Sequence, residues 1–444
     1  MKVSIITLGC KVNQYESEAI ASELQKNNVE VSFENENADA FIINTCAVTN
    51  EAERKSRQII AKIRRINQTA PIYVCGCSSQ HNPQKFAEHE GVLAVFGTSS
   101  KSELVSRILK YFKDKNQIQE IDTNISSCYQ EMPEAKGDRT RTVIKIQDGC
   151  NNFCSYCLIP YVRGRERSRS FESVKNEVEK QAKYSKEITF TGINLSAYGT
   201  DFEPKMSLKD VALLMKNYPS VRFKFSSLEQ NIITEDFIKT LSCIKNFAPH
   251  FHLSLQNGCN KTLKAMNRKY TAEEFYDKIQ IIRKYFPLGA ITTDIIVGFP
   301  TETEEDANEN YAFAEKCQFA KMHIFPFSSR SGTAASHMKN VATNVKERVE
   351  KLSKLDAKMH TEYIKKCKNH IFDMIIEQKK ESSEYYEGHT ENYIKCYIKS
   401  DKNLEPNTLL RVEILEPFKD GALAKIASYQ QKMLKNCDKM LKTI

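Results

Sequence analysis

The chain has 444 residues, 41% of them apolar, which is enough for about three domains with real cores and excludes a wholly disordered protein. Its formal charge of +9 mildly favours a polyanionic partner over an acidic one. No signal-like segment and no apolar run of membrane-spanning length are evident, so a cytoplasmic location is expected, where fourteen cysteines serve metals or catalysis better than disulfides.

Short apolar runs at 3–8, 41–43 and 72–74 alternate with helical patterns at 16–26 and 51–67, the second reading as a mixed-charge, solvated helix. Alternating strands and helices predict a parallel sheet whose carboxyl-terminal edge receives ligands. Each run is followed by a cysteine: Cys10 in TLGC, Cys46 in INTC and Cys77 in VCGC. A lone buried cysteine is often only a small hydrophobe. Three at equivalent strand exits can converge on one cluster. Cys75 can point the same way as Cys77 along a strand, but Cys77 lies past Gly76, in the loop, where a ligand reaches it. Asn13 and Asn44 share these loops; turn formation is their expected role, and hydrogen bonding to cluster sulfurs the alternative.

Residues 119–138 carry few large apolar side chains and read as a linker. A strand at 142–147 then leads into Cys150-x3-Cys154-x2-Cys157. Iron–sulfur cubanes take up to four thiolates, so a loop with three leaves one iron open to substrate, as open catalytic metal sites require. A zinc knuckle would need a fourth cysteine or histidine nearby, and none follows in the loop. Further strand patterns at 187–194, 222–229, 250–256, 290–299 and 319–327 complete six βα units of a partial TIM-type barrel, with active groups expected at the strand ends. Those ends hold TGIN (Gly192, Asn194), SSLE (Ser227, Glu229), LQNG (Gln256) and GFP. Glycine there admits a close ligand, and Ser227, Glu229 and Gln256 can hydrogen-bond a nucleoside–amino-acid cofactor, although each is as well suited to stabilising its own loop. Asp294 lies in an apolar strand and needs a partner, for which Arg268 is one candidate. The run RGRERSR at 163–169 reads as a solvated face or as a cationic segment steering phosphates or a carboxylate.

Residues 344–366 have helical periodicity through Val345, Val349, Leu352, Leu355, Met359 and Tyr363. Five strand patterns follow, at 371–376, 385–390, 393–399, 409–415 and 422–426, which suits a small OB-like barrel. In the third, Tyr393, Lys395, Tyr397 and Lys399 alternate with Ile394, Cys396 and Ile398, as in a base-stacking platform or an ordinary solvated face. Lys432, Lys435, Lys439 and Lys442 punctuate a helical tail.

CNNFCSYC resembles the signature of the radical S-adenosylmethionine (radical SAM) enzymes. Together with TLGCKVNQYES, INTCAVTNEAERKSRQ, GCSSQ, IPYVRGRERSR, TGINLSAYG, LQNGCNKTLKAMNRKYT, DIIVGFPTET and HIFPFSSRSGT, it makes the chain resemble the methylthiotransferase family along nearly its whole length. The resemblance implies an α/β chain with a Rossmann-like parallel-sheet domain (1–118), a (β/α)6 radical SAM barrel (136–367) and an OB-like TRAM barrel (370–432). It further implies two 4Fe–4S clusters. One sits on the catalytic Cys150, Cys154 and Cys157 and binds S-adenosylmethionine; the auxiliary one sits on Cys10, Cys46 and Cys77 and carries the sulfur to be methylated and inserted.

TLGCKVNQYES resembles the branch acting on N6-threonylcarbamoyladenosine beside the tRNA anticodon. The alternatives are the same chemistry on isopentenyladenosine or on an aspartate of a ribosomal protein and, from another class, a non-catalytic iron–sulfur electron carrier or redox sensor. The expected partners are tRNA (anticodon stem–loop), an electron donor and a sulfur source; the expected state is a monomer away from membranes. Packing is the expected role of the other cysteines, Cys128, Cys243, Cys259, Cys317, Cys367, Cys396 and Cys437.

Overall fold

The computed structural model describes residues 1–34, 37–114, 120–134, 140–379 and 383–427, without the side chain of residue 102. Among them, the N-terminal region forms a six-stranded parallel sheet in the order Glu30–Ser32, Lys2–Thr7, Ala40–Thr45, Ile72–Gly76, Val92–Phe96, Glu120–Asp122. The three predicted runs are its centre, and Ala40–Thr45 is buried at every position, as a central parallel strand covered on both faces should be. The sequence reading missed the other three strands. Val92–Phe96 is short, while Glu30–Ser32 and Glu120–Asp122 are three-residue edge strands with little apolar content. The last lies inside the predicted linker: pairing to one ordered neighbour suffices to extend a chain whose side chains carry no strand signal.

Helix Lys11–Lys26 starts directly after Cys10 and buries polar residues, Asn13, Glu16, Ser17 and Glu18 among them, because it lies between its own sheet and the barrel strand Arg141–Lys145. Helix Asn50–Ile66 is capped by Thr49, whose hydroxyl accepts from the Ala52 amide at 3.1 Å, with acids in its first turn and Arg64 and Arg65 in its last. It is not solvated all round: Glu53 is buried and accepts from Arg330 at 2.7 Å, docking the helix on the barrel.

The predicted (β/α)6 barrel is present. Arg141–Lys145, Glu187–Thr191 and Arg222–Phe225 form one parallel sheet; Ser227–Leu228, His250–Gln256, Ala290–Val297 and Lys321–Pro326 form the next, with residues 222–228 passing from one to the other. The main apolar core, including Phe190, Phe223, Phe251 and Ile295, lies between strands and outer helices. The lumen carries Thr189, Lys224, His252, Thr292 and Asp294 beside aromatic residues such as Phe225 and Tyr393, leaving an open cavity with polar groups where a closed TIM barrel would pack branched side chains.

Helix Val345–Lys366 buries Leu352, Leu355, Met359 and Ile364 and leads into a closed barrel of Ile371–Lys379, Tyr386–Thr390, Lys395–Ile398, Leu409–Phe418 and Gly421–Ile426. Ile394, Cys396 and Ile398 are fully buried in its core, as their alternation predicts. The opposite face is no free stacking platform. Tyr397 is buried against Tyr385 and Phe418, Lys395 pairs with Asp420 at 3.0 Å and Lys399 with Glu384 at 2.8 Å. Tyr393 precedes the strand at φ +64° and stacks on His250 of the central barrel, ring centres 4.4 Å apart. The predicted lysine tail lies outside the described residues. Among the described residues, no helix is long and apolar enough to cross a membrane.

Arg222 ties the two barrels together, donating to Glu187 at 2.6 Å and to the Asp373 carbonyl at 2.9 Å. Burial alone would raise the Glu187 pKa, but Arg222 and Arg141 bring it down to about 2. Such a carboxylate contributes stability above its unfolded pKa of roughly 4.3, and that contribution is lost as pH falls toward 2. Glu187→Gln should therefore cost on the order of 3 kcal/mol at pH 6 and progressively less below pH 4, as measured by denaturant unfolding.

Candidate functional site

Three neighbouring strands of the N-terminal sheet end at one edge, and Cys10, Cys46 and Cys77 follow them there. Close packing brings the loops together. A Cβ on Gly9, at φ +106°, would stand 3.0 Å from Cys46 Sγ, and one on Gly76, at φ +109°, 2.5 Å from the Thr45 carbonyl oxygen. Asn13 donates to the Leu8 and Thr45 carbonyls at 2.8 and 2.9 Å, and Asn44 donates to the Asn13 carbonyl at 2.9 Å, so both asparagines serve the turns. Burial pushes the Cys46 thiol up to about 12, and the nearby Cys77 and Cys10 push in the same direction. A cation bound among the three sulfurs would offset that penalty and favour the Cys46 thiolate. Cys75 turns away into the sheet core with Val3, Ile5 and Phe96.

Cys150, Cys154 and Cys157 lie in the loop after Gln147–Asp148. Gly149 turns it at φ +71°, where a Cβ would come 1.9 Å from the Arg165 carbonyl. Ser155 donates to the Ala265 carbonyl at 2.8 Å and Asn267 to the Phe153 carbonyl at 2.8 Å, pinning the loop to the segment after His250–Gln256. Burial pushes Cys150 and Cys157 up to about 12. Each thiol set receives N–H donors as thiolates would: Val48 to Cys46 at 3.5 Å and Arg163 Nε to Cys77 at 3.2 Å in one, Asn152 to Cys150 at 3.5 Å, Ile159 to Cys157 at 3.4 Å and Arg268 to Cys154 at 3.4 Å in the other. Thiolates around a single zinc lie roughly 3.8 Å apart. Among the described residues, the group of three donor atoms mutually within 4.8 Å is His252, Asp294 and His323, so neither thiol set is drawn together as tightly as around a single zinc. The two are neighbours: Leu158, just before helix Ile159–Val162, and Val162, its last residue, pack with Ala47 and Cys77.

The predicted cofactor contacts fall into three situations. Gly192 packs on Gln147, where a Cβ would meet Gln147 Cβ at 2.9 Å, and Gln147 Oε1 accepts from the Asn194 amide at 2.7 Å. Asn194 donates to Glu166 at 2.9 Å, and Glu166 accepts from Asn151 of the cysteine loop at 3.0 Å. Glu229 is paired with Arg268, which also reaches Cys154. Ser227 is exposed on the lumen cavity, and Gln256 closes its strand at φ +71°. Arg268 therefore does not partner Asp294, which accepts from His252 at 3.2 Å. Gln147, Glu166, Arg163 and Arg268 were missed as site residues because each acts on a cysteine loop through space, which no sequence spacing records.

The segment 163–169 is not a solvated face as a whole: Arg163, Arg167 and Arg169 are 0, 4 and 3% exposed, and only Arg165 among its arginines stays exposed. Arg163 donates to Glu16 at 3.0 Å, Asp148 at 3.1 Å, Asn13 at 2.8 Å and Cys77. Burial would raise Glu16, but Arg163, Lys101 and Lys145 together hold it well below the usual carboxylate range. This charge network joins the N-terminal domain to the barrel. A cavity lies beyond it, in two adjoining parts of about 280 and 310 Å3 that share Lys11 and Tyr393.

A partial parallel barrel with three thiols in its first strand-end loop defines a radical SAM enzyme. In agreement, residues 144–314 match the Radical SAM superfamily, and residues 2–97 match a family described as Uncharacterized protein family UPF0004. The fold is similar to that of the radical S-adenosylmethionine methyltransferase TsrM from Kitasatospora setae, with TM-score 0.54, 13% identity and coverage of 73% of this chain and 72% of that one. The chain is 37% identical to the threonylcarbamoyladenosine tRNA methylthiotransferase MtaB of Bacillus subtilis, over 96% of both chains. It is 36% identical to MtaB of Aquifex aeolicus, over 93% of this chain and all of that one. It is 33% identical to the tRNA-2-methylthio-N(6)-dimethylallyladenosine synthase of Natranaerobius thermophilus, over 91% and 92%. The chain belongs to the radical SAM methylthiotransferases, a family of transferases that use S-adenosylmethionine and 4Fe–4S clusters.

Proposed function

We propose that the chain places a methylthio group on adenine C2 of N6-threonylcarbamoyladenosine in the anticodon stem–loop of tRNA. The observation that carries this reading is the pair of three-thiol sets on either side of helix Ile159–Val162, with similarity to two MtaB enzymes over nearly the full length in support. Cys150, Cys154 and Cys157 would hold the cluster that binds S-adenosylmethionine, and Cys10, Cys46 and Cys77 the auxiliary one. When bound, these groups supply the one-electron reduction, the hydrogen abstraction and the sulfur that replacing C–H by C–SCH3 requires.

The chain's own residues hold that chemistry in place. Arg268 sets a cation against Cys154 and is itself fixed by Glu229. Glu166 locks the cysteine loop to Asn194, leaving Gly192, Ser227 and Gln256 at the same barrel end for a nucleoside. Arg163 sets a cation against Cys77. Residues 1–118, 136–367 and 370–432 serve as auxiliary-cluster, radical and RNA-binding domains of a cytoplasmic monomer supplied by an external electron donor and sulfur source.

Mass spectrometry of digested tRNA from a deletion strain and its complement tests the reading. The 2-methylthio-N6-threonylcarbamoyladenosine should vanish on deletion, with its precursor accumulating, and return on complementation. An unchanged level would reject the substrate and turn the search to dimethylallyladenosine.

A further inference from the structure

Two of the four Lys and Arg side chains lining the lumen cavity have a carboxylate. Arg141 pairs with Glu187 at 2.7 Å and with Glu377, and Lys321 with Asp356. Two do not. Lys224, 3% exposed, has no ion pair or hydrogen bond among the described residues; its ammonium lies 3.9 Å from the centre of the Tyr393 ring. Lys11, one residue past Cys10, projects into both parts of the cavity and likewise has no carboxylate within 4.0 Å among the described residues. His250 lines the same wall with Nδ1 buried and unbonded. Burial drives the Lys224 pKa well below its ordinary value; Glu187 opposes this, but Lys11, Arg141 and Arg222 add to it. The buried Lys224 ammonium is costly unless an anion joins it, and Lys11, exposed at the same cavity, adds a second positive charge for that anion.

The proposed substrate carries such an anion. A threonyl group joined to the base through its amine and a carbamoyl keeps its carboxylate and hydroxyl free, whereas a dimethylallyl group is a hydrocarbon. We infer that Lys11 and Lys224 form a carboxylate subsite in the barrel lumen that recognises the threonyl end of the N6 substituent and disfavours neutral substituents. The inference rests on the function proposed above. It gives discrimination of both kinds: a charge-assisted contact for the acid, and one buried cation, Lys224, left unpaired by a hydrocarbon. The cavity parts together fall within the range of small-ligand pockets, roughly 300–1,000 Å3. Because Lys11 belongs to the N-terminal domain and Lys224 to the barrel, the subsite is complete only where these two domains meet.

The test uses the reconstituted full chain and three anticodon stem–loops that differ at one adenosine: the threonylcarbamoyl acid, its methyl ester and the dimethylallyl derivative. Wild type should prefer acid to ester by at least about 100-fold in kcat/KM. Lys224→Met and Lys11→Met should bring that ratio toward one by losing activity on the acid, and Lys224→Arg should restore part of the preference. Equal use of acid and ester by wild type would overturn the subsite without needing any variant to fold, and so would an unchanged ratio in Lys224→Met. Activity on the dimethylallyl stem–loop alone would overturn the proposed function itself, and the subsite with it.

Discussion

Cys154→Ala is expected to abolish reductive cleavage of S-adenosylmethionine while leaving iron bound at the N-terminal site. The thiol lies in the half-buried loop after Gln147–Asp148, and its removal would leave two sulfurs for the proposed cluster, which has only three protein ligands in this reading. Arg268 would stay paired with Glu229, so the fold loses little. Production of 5′-deoxyadenosine should fall by at least about a thousandfold, equivalent to about 4 kcal/mol of barrier. Cys46→Ala should give the complementary result, with cleavage retained but uncoupled and no methylthio product. Iron per chain, 5′-deoxyadenosine and modified nucleoside, measured on both variants, separate the two sites. Sustained cleavage by Cys154→Ala would refute the assignment of this set.

Arg163→Met should have the largest effect on stability. Its guanidinium is fully buried and serves two carboxylates, an asparagine and a thiol drawn from both domains. The methionine would leave Glu16 with only lysines and Asp148 with Lys145 and the more distant Arg167, and breaking such a buried pair costs roughly 3–5 kcal/mol, a large share of the roughly 5–15 kcal/mol that holds a typical domain. Arg163→Lys should recover little, because an ammonium lacks the planar fork that reaches several acceptors at once. Glu16, held well below the usual range, contributes above its unfolded pKa and loses that contribution as pH falls, so the gap between wild type and Arg163→Met should narrow in acid. Urea unfolding at pH 7 and pH 4 measures both effects. A variant as stable as wild type at pH 7 would mean that the network is dispensable.

The long, regular elements were legible. Six barrel strands and five small-barrel strands appeared as apolar runs because burial on one or both faces imposes a pattern on the sequence. Strands as short as Glu30–Ser32 and Glu120–Asp122 were not, since pairing alone holds them. The segment 163–169 was misread for a related reason: a charged run looks solvated until its carboxylates, Glu16 and Asp148, come from elsewhere in the chain. Tyr393 was assigned to an outward strand face by alternation, but a positive φ at that residue turned it toward another domain.

By itself, the sequence determined the class of chemistry, because cysteine spacing and strand-end position are local properties that folding preserves. It also determined the layered α/β plan, through hydrophobic period. Only the tertiary structure decided which charges are paired. Arg268 with Glu229, His252 with Asp294, and Lys11 and Lys224 without a carboxylate among the described residues are results of packing between segments tens to hundreds of residues apart. Electrostatic energy depends on distance and burial in space, and the order of residues along the chain carries neither.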